Sequence, residues 1–198
     1  MAINALTFNA AQGCSVLFTG SDDKTVKAWD TRSSMKDPIQ TLGDFKDNVS
    51  DVLCSEFELL TGCFDGQIRC YDVRMGRMVS DHLCEIVTSV RLSKDRNCVL
   101  ASCLDGALRL MDRASGELLG EYRGHRHSQY VLESLLTHTD AHVVSGSEDG
   151  KIYVWDLVDA RVAHVLEGHK KAVVSLDYHP SEVCLLSASV DGNVKVWR

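Results

Sequence analysis

The sequence predicts an all-β chain built from five four-stranded units, the blades of a β-propeller. One segment recurs five times and closes on an aromatic residue or methionine at positions 29, 71, 111, 155 and 197. Successive steps are therefore 42, 40, 44 and 42 residues, a period typical of propeller blades. Each copy also carries a turn signal: Asp65-Gly66, Asp105-Gly106, Asp149-Gly150 and Asp191-Gly192, with Asp23-Lys24 in the first copy. Glycine accepts a positive φ there without a Cβ clash. Only two prolines interrupt 198 residues, so the strand runs keep their ladder donors.

The units divide at about 1–42, 43–82, 83–122, 123–166 and 167–198. The first opens on Ile3-Asn4-Ala5-Leu6-Thr7-Phe8, an innermost strand. The fourth shows the full order most clearly. Val131–Leu136 is a mostly apolar strand, and a polar turn follows over 137–141. His142–Gly146 is the second strand, ending in small residues, and the Asp149-Gly150 hairpin follows it. Ile152–Trp155 is the third strand and Val162–Leu166 the fourth. The fifth unit reaches Trp197-Arg198 without a fourth strand, so the last blade is expected to be incomplete.

A formal net charge of −7 argues against a nucleic-acid backbone as partner. No stretch approaches the roughly 20 apolar residues of a membrane span, and the start shows no basic-then-apolar signal. The eight cysteines then read as reduced thiols of a cytoplasmic protein that also enters the nucleus. Cys63 and Cys103 stand in the slot of Ser21, Ser147 and Ser189, and Cys70 in the slot of Ala28 and Val154, which marks them as small packing residues. Without a CxxC pair no zinc site is expected, and no cofactor motif is present.

Gly124-His125 and Gly168-His169, with the closing Trp155-Asp156 and Trp197, resemble the Gly-His…Trp-Asp frame of the WD-repeat propeller family. In that family a His, a second-strand hydroxyl, the turn Asp and the Trp form a buried hydrogen-bonded set. The resemblance implies His125, Ser145, Asp149 and Trp155 in the fourth blade, and His169, Ser187, Asp191 and Trp197 in the fifth. At about 1 kcal/mol per bond, His125→Ala or Asp149→Ala is expected to cost about 2–4 kcal/mol. Leu42-Gly43-Asp44 and Leu83-Cys84-Glu85 stand where the second and third blades should carry Gly-His, and Tyr71 and Met111 replace the Trp. Those two networks are expected to be incomplete.

Tyr71–Gly76, Gly116–His125, His142–Lys151 and Tyr178-His179-Pro180 lie outside the generic frame. They resemble a narrower group, the WD-repeat scaffolds that organise mitogen-activated protein kinase cascades. That resemblance implies a non-enzymatic scaffold for the Raf, MEK and ERK kinases, with a prolyl hydroxylase of hypoxia signalling and spliceosomal proteins as further partners. It also implies an open arc of five blades from a seven-bladed ring.

Loops that join successive blades, and the hairpins between second and third strands, crowd one face of a propeller. Phe45, Phe64, Leu104, Tyr130, Glu148 and Val190 are the partner-binding candidates there. A step of 24 residues from His125 to Asp149, against 22 from His169 to Asp191, places a small insertion near residues 127–130 on that face. As an alternative function, Trp29-Asp30-Thr31-Arg32 matches, and Tyr71-Asp72-Val73-Arg74 nearly matches, a WDxR feature. Arg32 and Arg74 would then dock a cullin ubiquitin-ligase adaptor.

Overall fold

The computed structural model describes residues 2–9, 13, 15–34, 36–83, 85–179 and 183–198. Cys14, Cys84 and Pro180, each used in the sequence reading, lie outside them. The described residues form nineteen strands in five antiparallel sheets, each a meander of consecutive strands. The first holds β1 (Ile3–Phe8), β2 (Val16–Ser21), β3 (Val26–Asp30) and β4 (Gln40–Leu42). The second holds β5 (Val49–Ser55), β6 (Glu58–Cys63), β7 (Gln67–Asp72) and β8 (Arg77–His82). The third holds β9 (Val87–Leu92), β10 (Cys98–Cys103), β11 (Ala107–Asp112) and β12 (Leu118–Tyr122). The fourth holds β13 (Ser134–Leu136), β14 (His142–Gly146), β15 (Lys151–Asp156) and β16 (Val162–Glu167). Three strands complete the fifth: β17 (Val173–Tyr178), β18 (Leu185–Ser189) and β19 (Val194–Trp197).

The chain divides into two compact units, Met1–Val90 and Arg91–Arg198. In the first, Phe18, Val26, Val49, Val52 and Leu59 pack into one apolar core with Phe45 and Tyr71. Among the described residues of the second, two cores stand out. One gathers Leu100, Leu108, Leu110, Tyr122, Val143 and Trp155, and the other Val144, Ile152, Val173 and Leu176. β9 is buried on most of its length, whereas the outer strands β8 and β16 are mostly exposed. That gradient is what a sheet covered at its inner edge produces. Ile3 and Leu6 on β1, and Val194 and Val196 on β19, are each more than half exposed.

One element differs from the sequence reading. The first strand of the fourth sheet covers only Ser134–Leu136, not Val131–Leu136. The backbone of 128–130 is held instead by the Glu148 carboxylate, so the chain enters the sheet three residues later.

Candidate interaction surface and its turn networks

The five hairpins share one chemistry. In each, Oδ1 of the turn aspartate accepts the backbone N–H two residues on: Thr25 (3.0 Å), Gln67 (3.1 Å), Ala107 (3.1 Å), Lys151 (3.0 Å) and Asn193 (3.0 Å). This Asx bond shapes the turn and explains why the residue is Asp in every copy. Gly66, Gly106, Gly150 and Gly192 follow with φ of 77–84°, and Lys24 adopts 63° in the first copy.

The second oxygen takes a different partner in each sheet. Asp23 Oδ2 accepts from Lys27 Nζ (2.6 Å), Asp65 Oδ2 from Arg69 (2.7 Å) and Asp105 Oδ2 from Arg109 (2.6 Å). Asp149 Oδ2 accepts from the Tyr153 hydroxyl (3.0 Å), and Asp191 Oδ2 meets His169 Nδ1 (3.2 Å).

Only the fifth sheet assembles the four residues that the resemblance implies. Trp197 Nε1 donates to Ser187 Oγ (2.8 Å), Ser187 Oγ lies 2.7 Å from His169 Nε2, and His169 Nδ1 faces Asp191. In the neutral ring a proton on Nδ1 suits the carboxylate, which can only accept, and leaves Nε2 to accept from Ser187. The Ser187 hydroxyl lies buried inside this set.

The fourth sheet corrects the expectation for His125, Ser145, Asp149 and Trp155. Trp155 Nε1 donates to the Arg123 carbonyl (3.0 Å), Ser145 Oγ to the Gly146 carbonyl (3.0 Å), and Asp149 is taken by Tyr153. Both ring nitrogens of His125 are buried without a hydrogen bond. The cause is the residue four positions after the turn aspartate. Tyr153 reaches the carboxylate from its own strand, whereas the corresponding Lys195 turns to the Gly168 carbonyl and leaves Asp191 to the histidine. Burial pushes His125 down to about 4, with His127 beside it acting the same way, so it is neutral at pH 7.

The second and third sheets are not incomplete. Phe45 occupies the histidine slot: Lys46 N donates to Asp65 Oδ2 (3.1 Å) just as Lys170 N donates to Asp191 Oδ2 (2.8 Å). A forked Arg69 pairs with both oxygens of Asp65, with both side chains at most 5% exposed. Its guanidinium lies 4.9 Å from the Phe45 ring centroid. Burial alone would raise the Asp65 pKa, but Arg69 and the Lys46 amide hold it at about 2. Arg109 forks onto Asp105 in the same way and also meets Glu121 (3.5 Å).

These turns are tied to the loops that enter each sheet. Phe64 N donates to the Asn48 carbonyl, Glu148 N to Arg126 and Val190 N to Ala172, each at 2.9 Å. Cys63 Sγ bonds the Asp47 carbonyl (3.2 Å), as Ser189 Oγ bonds Lys171 (2.9 Å), which fits the shared serine slot. Cys54, Cys63, Cys98 and Cys184 are free thiols.

Of the partner-face candidates, Tyr130 and Val190 are each 42% exposed, and Phe64 and Leu104 are half-buried. Phe45 and Glu148 are corrected. Phe45 is core, its ring tilted against Tyr71 with centroids 6.3 Å apart. The Glu148 carboxylate accepts from Ser128 N (2.7 Å), Gln129 N (2.5 Å) and Tyr130 N (3.1 Å). Burial opposes its ionisation, yet these amides hold its pKa at about 2. An acid that closes a loop in this way is not offered to a partner. Arg32 is exposed. Arg74 pairs with Asp72 (3.6 Å) and lies 4.1 Å over the Phe57 ring.

The family model "WD domain, G-beta repeat" matches residues 2–30, 75–112, 116–156 and 160–198. The chain belongs to the WD-repeat family. It is 46% identical to WD repeat domain-containing protein 83 of Rattus norvegicus over 84% of this chain and 53% of that protein. The human protein of the same name is 45% identical over 84% of this chain and 52% of that protein. A homolog in Dictyostelium discoideum is 33% identical over 92% of this chain and 65% of its own length. The chain thus spans about half the length of the mammalian relatives it matches. Among solved structures, the WD40 β-propeller domain of Doa1 superposes with a TM-score of 0.85 at 20% identity, covering 99% of this chain and 64% of that one.

Proposed function

We propose that the protein is a non-enzymatic scaffold that presents its hairpin and inter-sheet loops to other proteins. The observation that carries this is the rigid tie between turn and loop. Glu148 alone fixes three consecutive amides and leaves Tyr130 standing exposed on a braced segment. Aromatic side chains on pre-organised loops bind partners with little ordering cost. The Ser187–His169–Asp191 grouping is buried in the set that holds Trp197, which speaks against hydrolytic chemistry there. The likeness to WD repeat domain-containing protein 83 and the stretches outside the repeat frame favour a kinase cascade of the Raf–MEK–ERK type as cargo. A prolyl hydroxylase and spliceosomal proteins are further partners, met in cytoplasm and nucleus.

Tyr130→Asp and Phe64→Asp, tested separately in pull-downs of the three kinases, are the direct test. Tyr130→Asp should reduce capture at least tenfold with an unchanged melting curve. Full capture by both variants would place the surface elsewhere. For the ligase-receptor alternative, Arg32 is exposed, and Arg74 is exposed beside Asp72 and Phe57. Co-purification with the damaged-DNA-binding adaptor, lost in Arg32→Ala, would favour it.

A further inference from the structure

In the second unit the space between the third and fourth sheets is filled. Leu108, Leu110, Tyr122 and Trp155 close it with Leu100 and Val143, and the Tyr122 hydroxyl donates to the Leu157 carbonyl (2.7 Å). The same register positions recur in the first unit with other residues. Tyr122 pairs across its sheet with Leu108, as Leu42 pairs with Val26. Trp155 pairs with Val143, as Tyr71 pairs with Leu59. Val73 N donates to the Phe57 carbonyl as Leu157 N donates to Ala141, so Val73 holds the position of Leu157.

Four of these positions carry smaller side chains in the first unit: Val26 for Leu108, Ala28 for Leu110, Leu42 for Tyr122 and Tyr71 for Trp155. Phe18 and Leu59 are larger than Leu100 and Val143 but do not fill the gap. A cavity of ≈170 Å³ remains, lined by Phe18, Val26, Ala28, Leu42, Leu59 and Tyr71 and reaching Val73. An apolar cavity of about 150 Å³ is large enough for a benzene ring. What is missing, relative to the filled copy, is the phenol of Tyr122, including the hydroxyl that would reach the carbonyl of residue 73. At the rim the Tyr71 hydroxyl donates to Asp44 Oδ2 (3.4 Å).

We infer that this cavity is a binding site for a single phenolic ring, seated where Leu42 replaces a tyrosine and donating its hydroxyl to the Val73 carbonyl. The ring displaces no side chain and buries its face against Phe18, Val26 and Leu59. The hydroxyl orients it, by the bond that the Tyr122 hydroxyl makes to the Leu157 carbonyl in the filled copy.

The test titrates the whole chain with p-cresol, the tyrosine side chain itself, and follows the methyl resonances of Val26, Leu42 and Leu59. Saturable shifts are expected, with toluene binding at least fivefold more weakly. Leu42→Tyr should raise the melting temperature and abolish the p-cresol response. Ala28→Leu, a milder filling change, should weaken it at least tenfold should Leu42→Tyr fail to fold. N-acetyltyrosinamide separates the two sources of a phenol. Binding comparable to p-cresol assigns the site to a partner's tyrosine side chain, and binding of p-cresol alone assigns it to a free small phenol. No response to p-cresol, a response that survives in both filled variants, or toluene binding as tightly would overturn the inference.

Discussion

The second and fifth sheets hold the same aspartate in the same turn by opposite means. Asp65 is buried beside a guanidinium on its own strand, with both side chains nearly sealed from water. Asp191 is reached by the ring of His169, which is itself part of a set running from Trp197 to Ser187. The first is a charge pair whose members are costly apart. The second is a set of hydrogen bonds, each worth about 1 kcal/mol net. What is kept across the repeats is the demand of the turn: one oxygen for the amide two residues on, and any donor for the other. The identity of that donor decides how steeply each blade depends on a single residue.

The largest effect should therefore come from the second sheet, whose frame departs furthest from the family pattern. Arg69→Met leaves a buried carboxylate without its counter-charge, which costs about 3–5 kcal/mol. Adding Asp65→Asn should recover most of that loss in a double-mutant cycle by urea denaturation. The pH dependence has a definite sign. Asp65 is held at about 2 in the folded chain, below the ordinary carboxylate value of 3.8. Its contribution is complete above the unfolded value and is lost as pH falls through the folded one. The difference between wild type and Arg69→Met should be widest at pH 5 and above, and narrow towards pH 2. A gap independent of pH would mean that Arg69 acts by packing alone.

The period, the hairpins and the three-stranded last sheet were legible in the sequence because they rest on backbone geometry that Asp-Gly spacing encodes directly. The fifth-sheet set was legible too, since His169, Ser187, Asp191 and Trp197 all match the family frame. Arg69 and Arg109 were missed, although a basic residue four positions after a turn aspartate is a readable signal where the histidine is absent. Phe45 was misplaced because the register of the histidine slot is set by the Lys46 amide, and a backbone donor leaves no mark in sequence. Glu148 looked like a surface acid for a related reason: its partners are three amides. His125 failed for a subtler one. Its partner was claimed by Tyr153, and competition between two competent donors is settled only by geometry.

The middle-sized effect sharpens the comparison between the two histidines. His169→Phe breaks the relay and removes the ring partner of both the Asp191 oxygen and the Ser187 hydroxyl, at a cost of about 2 kcal/mol. His125→Phe should change stability by less than about 1 kcal/mol, because the ring it replaces makes no hydrogen bond and Phe45 already fills the equivalent slot. Its pH profile should differ as well. With its pKa pushed by burial from the ordinary 6.5 down to about 4, His125 lets the unfolded state bind a proton first. Stability then declines as pH falls from 6.5 to 4. His125→Phe should flatten that decline, and equal costs for the two substitutions at pH 7 would sink the distinction drawn between the fourth and fifth sheets.

The smallest effect concerns the one hairpin without glycine. Lys24 adopts φ of 63° where the other four turns place glycine at 77–84°. A side chain in that region costs about 1–2 kcal/mol, while glycine surrenders about 0.5–1 kcal/mol of extra chain entropy on folding. The lysine has compensations: its Nζ donates to the Lys46 carbonyl (2.8 Å) and lies 3.9 Å from Asp47, with both charged side chains half exposed. An exposed pair of that kind contributes little. Lys24→Gly should therefore stabilise the chain by about 0.5 kcal/mol, read as a small rise in the urea midpoint at unchanged slope. A loss instead would show that the Lys46 carbonyl bond outweighs the backbone strain, and that the first turn is held by its side chain where the other four are held by their backbone.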